Sequence, residues 1–150
     1  MELILWRHCD AAPGVPDELR PLTPLGVAQA GRMAGWLGRR LPAACRILVS
    51  PAVRAQQTAQ ALARSFETVP DIGTGASVAT VLDAAGWPRA QAPVLVVGHQ
   101  PTLGNVAAFL LSGAKADPVL RPGAVWWLAN DPSRDESSVV LQVAISPDFV

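Results

Sequence analysis

Four consecutive apolar residues, Leu3-Ile4-Leu5-Trp6, run straight into Arg7-His8. No other feature limits the possible folds so tightly. An unbroken apolar run of this length reads as a strand covered on both faces, as in parallel sheets flanked by helices. A second such run, residues 94–97, lies between Pro93 and Gly98. In open α/β sheets ligands bind beyond the carboxyl ends of the strands. Arg7 and His8 emerge at that end. A nucleophilic imidazole beside a guanidinium suits the acceptance of a phosphoryl group.

The rest of the chain supplies helices between such strands. Residues 13–21 form a loop with three prolines. Thr23-Pro24 then has the form of an N-cap followed by proline in the first helical turn. Val27, Ala30, Ala34, Leu37 and Leu41 follow at helical spacing. Residues 46–49 read as a short second strand. Ser50-Pro51 repeats the cap-plus-proline pattern, with Ala55, Ala59, Leu62 and Phe66 as the buried stripe of a second helix. Residues 67–75 are irregular, with room for a short edge strand. Val78, Val81, Leu82 and Ala85 mark a third helix closed by Gly86. Pro101 opens a fourth, with Leu103, Val106, Ala107 and Leu110 on one face. Residues 123–129 and 138–144 are strand-like, and 130–136 between them reads as a hairpin loop. The expected fold is a three-layer α/β/α domain over residues 1–150. Its central sheet is mainly parallel and ends in an antiparallel hairpin.

Three strand ends carry related polar residues. The first gives Arg7-His8. The second gives Ser50-Pro51, with Arg54 one turn further on. The third gives Gly98-His99-Gln100-Pro101. Parallel strands share one rim, so both histidines of the chain and two arginines can converge there. Helix N-termini at Pro51 and Pro101 would add partial positive charge. Such a rim suits a compact dianion. Arg54 is unfavourable in a first helical turn unless an anion sits nearby.

Composition narrows the alternatives. Half of the 150 residues are apolar, and 12 basic residues balance 12 acidic ones. With no net positive charge to neutralise a phosphate backbone, nucleic acid is an unlikely partner. The apolar runs are too short to span a membrane, and no charged leader with a long apolar core opens the chain. Cys9 and Cys45 make neither a disulfide framework nor a zinc site, and two histidines lack the further ligands that a metal needs. A cytoplasmic, metal-free and cofactor-free monomer is the expectation.

Taken together, 3–12 (Leu-Ile-Leu-Trp-Arg-His-Cys-Asp-Ala-Ala), 20–26 (Arg-Pro-Leu-Thr-Pro-Leu-Gly), 50–58 (Ser-Pro-Ala-Val-Arg-Ala-Gln-Gln-Thr) and 96–101 (Val-Val-Gly-His-Gln-Pro) resemble the histidine phosphatase superfamily, the phosphoglycerate mutase-like proteins. Within it they are similar to the SixA-type phosphohistidine phosphatases. The resemblance implies that His8 is the phosphate-accepting nucleophile. It implies that Arg7, Arg54 and His99 hold the phosphoryl oxygens, and that Arg20 is a further substrate-facing residue. Two departures stand out. Cys9 replaces the usual glycine, where a side chain could narrow the pocket or simply be a small buried apolar group. No carboxylate falls in a matching general-acid motif; Asp10, Glu18, Glu67 and Asp71 are loop candidates.

Neutral His8 is expected to attack, kept uncharged by Arg7 and Arg54, with its other ring N–H on a backbone carbonyl. A weak acid favours a leaving imidazole, of conjugate pKa about 6.5, over an alkoxide. The leading expectation is therefore a phosphatase acting on phosphohistidine in a phosphoprotein such as a phosphorelay domain. A small-molecule phosphatase or mutase and a silent phosphate-binding module are the alternatives.

Overall fold

The structure is a computed structural model that describes residues 1–131, 133–135 and 138–150. Its six strands are β1 (Glu2–Arg7), β2 (Arg46–Val49), β3 (Glu67–Thr68), β4 (Val94–Gly98), β5 (Val125–Asn130) and β6 (Val139–Ile145). They form one sheet in the order β3-β2-β4-β1-β5-β6. The first four strands in that order run parallel, while β5 is antiparallel to β1 and β6 to β5. The four helices are α1 (Pro24–Gly38), α2 (Val53–Gln60), α3 (Val78–Ala85) and α4 (Thr102–Ser112).

The apolar runs are central strands because both of their faces are covered. Ile4 and Trp6 pack with Met33 and Leu37 of α1 and with Ala55 and Ala59 of α2. Leu3 and Leu5 pack on the other face with Val81 of α3 and with Leu103 and Val106 of α4. Alternation along one strand thus feeds two cores. The three-layer α/β/α architecture with an antiparallel C-terminal piece is as expected. Part of the expected hairpin loop, 130–136, lies outside the described residues.

Local details differ from expectation in three places. Val27 is exposed and Gly26 is buried in its place, while Ala30, Ala34 and Leu37 of the expected stripe face the core. The helix is turned so that Gly26 rests against the Asp10 backbone, where a Cβ would collide with the carbonyl oxygen. The helix after β2 begins at Val53 with Ala52 as its N-cap, not at Ser50-Pro51; the Ser50 hydroxyl accepts from Ala52 N–H at 3.3 Å and also meets His99 Nε2. That helix also ends at Gln60, so Phe66 lies beyond it and packs partly buried against the same core from the following loop.

The segment between β1 and α1 is tied down along its length. Ala11 and Leu22 form an isolated antiparallel bridge. The Thr23 hydroxyl accepts from Gly26 N–H as the cap of α1 and donates to Asp10 Oδ2 at 2.6 Å. Gln29 of α1 accepts from Asp10 N–H, and Gln57 of α2 accepts from Leu22 N–H. Gly26→Ala should therefore shift this whole segment. Its overpacking should cost about 1–3 kcal/mol, read as a lowered midpoint in urea, whereas Gly31→Ala, at an open helical position, should not destabilise.

Candidate active site

Strand pairing brings three chain segments to one rim. Arg7 of β1 is level with Gly98 of β4, and Val49 of β2 with Val97. One residue further, His8 N–H donates to Gly98 O and Ser50 N–H to Val97 O, each at 3.0 Å. His8 and His99 are thereby neighbours, with ring centroids 5.2 Å apart. Arg54 enters from the first turn of α2 and is buried, with only 3% of its surface exposed. The expected convergence of Arg7, His8, Arg54 and His99 is present. Together with Arg20 and Asp17 they line a pocket of about 400 Å³ whose wall includes Thr74 and Gly75.

The hydrogen bonds define the state of His8. Nδ1 lies 2.8 Å from the carbonyl oxygen of Cys9, which can only accept, so Nδ1 carries the proton. Nε2 accepts from Arg54 Nε at 3.2 Å and is therefore unprotonated. Burial lowers the pKa of His8 to about 4, with the charges of Arg54, Arg7 and Arg20 adding to it and the Cys9 hydrogen bond opposing it. The sequence reading gave the arginines the leading part; desolvation is the larger cause.

His99 is held by both ring nitrogens. Nε2 meets Ser50 Oγ at 2.6 Å, and Nδ1 is 3.4 Å from Arg54 Nη2. Burial, then His8 and Arg54, lower its pKa to about 3. A buried Thr58 joins the two halves of the site: its hydroxyl accepts from Cys9 N–H at 3.1 Å and donates to the Arg54 carbonyl at 2.7 Å.

Cys9 does not narrow the pocket. Its side chain is fully buried and approaches Gly123, where a Cβ would lie 3.2 Å from the sulfur. Burial pushes its thiol up to about 12, so it is an inert packing group. Arg20 does lie in the pocket wall, where its Nε donates to Asp17 at 2.9 Å and its Nη1 to the Ala12 carbonyl.

The acid candidates fare differently. Asp10 lines the pocket, but its carboxylate accepts the Thr23 hydroxyl. Glu67 faces Arg46 on the sheet edge at 3.6 Å, and neither Glu18 nor Asp71 lines the pocket. Sequence reading missed Asp17. Its Oδ2 accepts from Arg54 Nη2 at 3.0 Å, and its backbone oxygen accepts from Arg54 Nη1 at 2.7 Å. The Asp17-Arg20 spacing of three residues was the available signal, since it permits the ion pair within one turn that the structure contains. Among the described residues no cluster of His, Cys, Asp and Glu is placed to hold a metal ion, and no helix is long and apolar enough to cross a membrane.

An unprotonated imidazole nitrogen ringed by guanidiniums at the carboxyl rim of an α/β sheet has the donors to hold a phosphoryl group, and the relatives of the chain include phosphatases. The family model described as histidine phosphatase superfamily (branch 1) matches residues 3–74. The phosphohistidine phosphatase SixA of Escherichia coli K12 is 33% identical over 135 residues, which covers 83% of each chain. An uncharacterised protein of Mycobacterium tuberculosis is 37% identical over 119 residues, covering 74% of this chain and 73% of its own. The solved structure of the protein histidine phosphatase SixA complexed with tungstate superposes with a TM-score of 0.79 at 29% identity, covering 99% of both chains. The chain belongs to the histidine phosphatase superfamily. It is a SixA-like phosphatase with a phosphoglycerate mutase-like fold.

The buried neutral histidines set a pH dependence of stability. Unfolded imidazoles titrate near 6.5, whereas folded His8 and His99 titrate near 4 and 3. Between these values the unfolded chain holds more protons, so stability rises with pH and reaches its full value above about 6.5. Each histidine should contribute a slope of about 1 kcal/mol per pH unit between about pH 5 and 6. Urea titrations over that range should give His99→Gln a shallower slope than wild type by that amount.

Proposed function

We propose that residues 1–150 act as a monomeric, single-domain phosphohistidine phosphatase whose substrate is a phosphorylated protein. The observation that carries this reading is the Nδ1–H form of His8, which leaves Nε2 unprotonated and accepting from Arg54 Nε in a pocket of cationic donors; the lone pair is freed to attack when Arg54 turns to the phosphoryl oxygens. An uncharged imidazole at neutral pH is the form that attacks phosphorus.

His8 Nε2 attacks in line and forms phospho-His8 while the leaving group departs. The charge on the phosphoryl oxygens is met by Arg54, Arg7, Arg20 and His99. Arg7 supports this role directly. Its Nη1 is held by the Leu120 carbonyl at 2.5 Å, and its buried Nε has no partner among the described residues. A phosphoryl oxygen would satisfy that donor. His99 can adapt as well. Its Nδ1 accepts from Arg54, which can only donate, so Nε2–H donates to Ser50; once Arg54 turns to the phosphoryl oxygens, the Ser50 hydroxyl can donate to Nε2 and the ring can carry its proton on Nδ1 as a donor to the substrate. Tungstate, bound by the related SixA, is a tetrahedral oxyanion of the kind such a donor set accepts.

The substrate follows from the leaving group and from access. Glu18, Glu67 and Asp71 stand away from the pocket, and Asp10 is engaged elsewhere. Imidazole departs without a strong acid, unlike an alkoxide. Between α2 and β4 the chain builds β3, a 3-10 turn at Pro70–Ile72 and the eight-residue α3, and this short segment brings Thr74 and Gly75 to the pocket wall. A phosphohistidine on a protein surface, as in a histidine-containing phosphorelay domain, matches an open cationic pocket.

Incubation with a radiolabelled phosphohistidine protein should leave an acid-labile label on the wild type and none on His8→Ala. Retained turnover in that variant would refute the covalent route. Across a panel of phosphohistidine domains and sugar phosphates, kcat/KM should favour the former by at least tenfold, about 1.4 kcal/mol in barrier. A preference for the sugar phosphates would refute the substrate class.

A further inference from the structure

Two carboxylates line the pocket, and their partners differ. Asp10 accepts the Thr23 hydroxyl at the start of α1. Asp17, on the 3-10 turn Asp17–Leu19, reaches the cations themselves. Arg54 uses two edges of its guanidinium. Nε donates to the reactive nitrogen of His8 at 3.2 Å, while Nη1 and Nη2 donate to the backbone oxygen and Oδ2 of Asp17 at 2.7 and 3.0 Å. One planar group thus joins the nucleophile on its Nε side to a carboxylate on its Nη1–Nη2 edge, and both line the same pocket. A phosphoryl group on His8 Nε2 would share that pocket with Asp17. The side chain of Asp17 is 52% exposed, so water reaches it freely.

We propose that Asp17 is the general base that takes a proton from the water that hydrolyses phospho-His8. This rests on the covalent reading above. Asp17 suits a base and not an acid. The Arg54 hydrogen bond and charge, helped by Arg20, hold its carboxyl below the usual carboxylate range, so it is ionised at neutral pH.

The step balances without any further reactant. In phospho-His8 the ring carries a proton on Nδ1 and phosphorus on Nε2. The water oxygen forms the new bond to phosphorus while one water proton moves to Asp17. The Nε2–P bond breaks, and its electron pair returns to Nε2. Neutral His8 with its Nδ1–H on the Cys9 carbonyl is restored, and no proton is needed on that leaving group. Hydrogen phosphate departs, and Asp17 releases its proton to solvent.

The same geometry explains why the acid expected from sequence is lacking. Both halves of the reaction expel an imidazole that can leave neutral, so the only proton in need of an acceptor is that of the water. Removing the base should then separate the half-reactions, whereas a carboxylate that merely spaces Arg54 from Arg20 would affect both.

The test is a rapid-quench experiment with a radiolabelled phosphohistidine peptide on wild type, Asp17→Asn and Asp17→Ala, with folding checked by circular dichroism. Asp17→Asn should acquire label within a few-fold of the wild-type rate and lose it roughly 10²–10⁴ times more slowly, so phospho-His8 accumulates. Added formate should restore the loss of label in Asp17→Ala in proportion to its concentration. Wild-type loss of label in Asp17→Asn would overturn the proposal, as would equal slowing of both steps or a lack of formate rescue in a folded variant. Wild type that turns over without ever carrying label would instead overturn the covalent reading itself.

Discussion

The parallel pairing of β4 between β1 and β2 is the constraint on which the molecule depends. It makes the three strand ends neighbours, and each end delivers a different part of the site. The pairing is held by burial on both faces. The strands carry almost no polar side chains, so shifting one by a residue would exchange its two sets of packing partners between different helix layers. The position of His8 relative to His99 is therefore set by two hydrophobic cores and not by any contact inside the pocket.

Within that frame the site is an arrangement of mutual charge control. Three arginines face one small space, which would disfavour any further cation. The two histidines accordingly stay neutral, and burial does more to keep them so than the arginines do. The carbonyl of Cys9 then decides which His8 nitrogen is unprotonated. Arg54 is the hub: one guanidinium meets His8, His99 and Asp17, and its own carbonyl is fastened through Thr58 to the backbone that follows His8. Asp17 pairs with both Arg54 and Arg20.

Much of this could be read from residue order. Continuous apolar runs gave the central strands, and Thr23 and Gly86 act as helix boundaries as their chemistry predicts. Polar residues at strand ends gave Arg7, His8, Arg54 and His99. The errors arise from contacts between residues distant in the chain. Ser50 has the chemistry of a helix cap, but its hydroxyl is shared between Ala52 N–H and His99, and the helix begins at Val53. Val27 fits the helical stripe, but the residue buried at that end of α1 is Gly26, packed against the Asp10 backbone. Asp17 sits in a proline-rich loop without periodicity, and nothing local announces that its carboxylate meets Arg54 across 37 positions.

The sequence alone determined the fold class, the family and the chemical type of the site. These depend on the polarity pattern along short segments, which elements of fixed period convert directly into buried and exposed faces. The tautomer of His8, the inertness of Cys9 and the place of Asp17 were decided only by tertiary structure. Each depends on the dielectric surroundings and the distance of atoms far apart in the chain, and both exist only once the two cores have closed around the sheet.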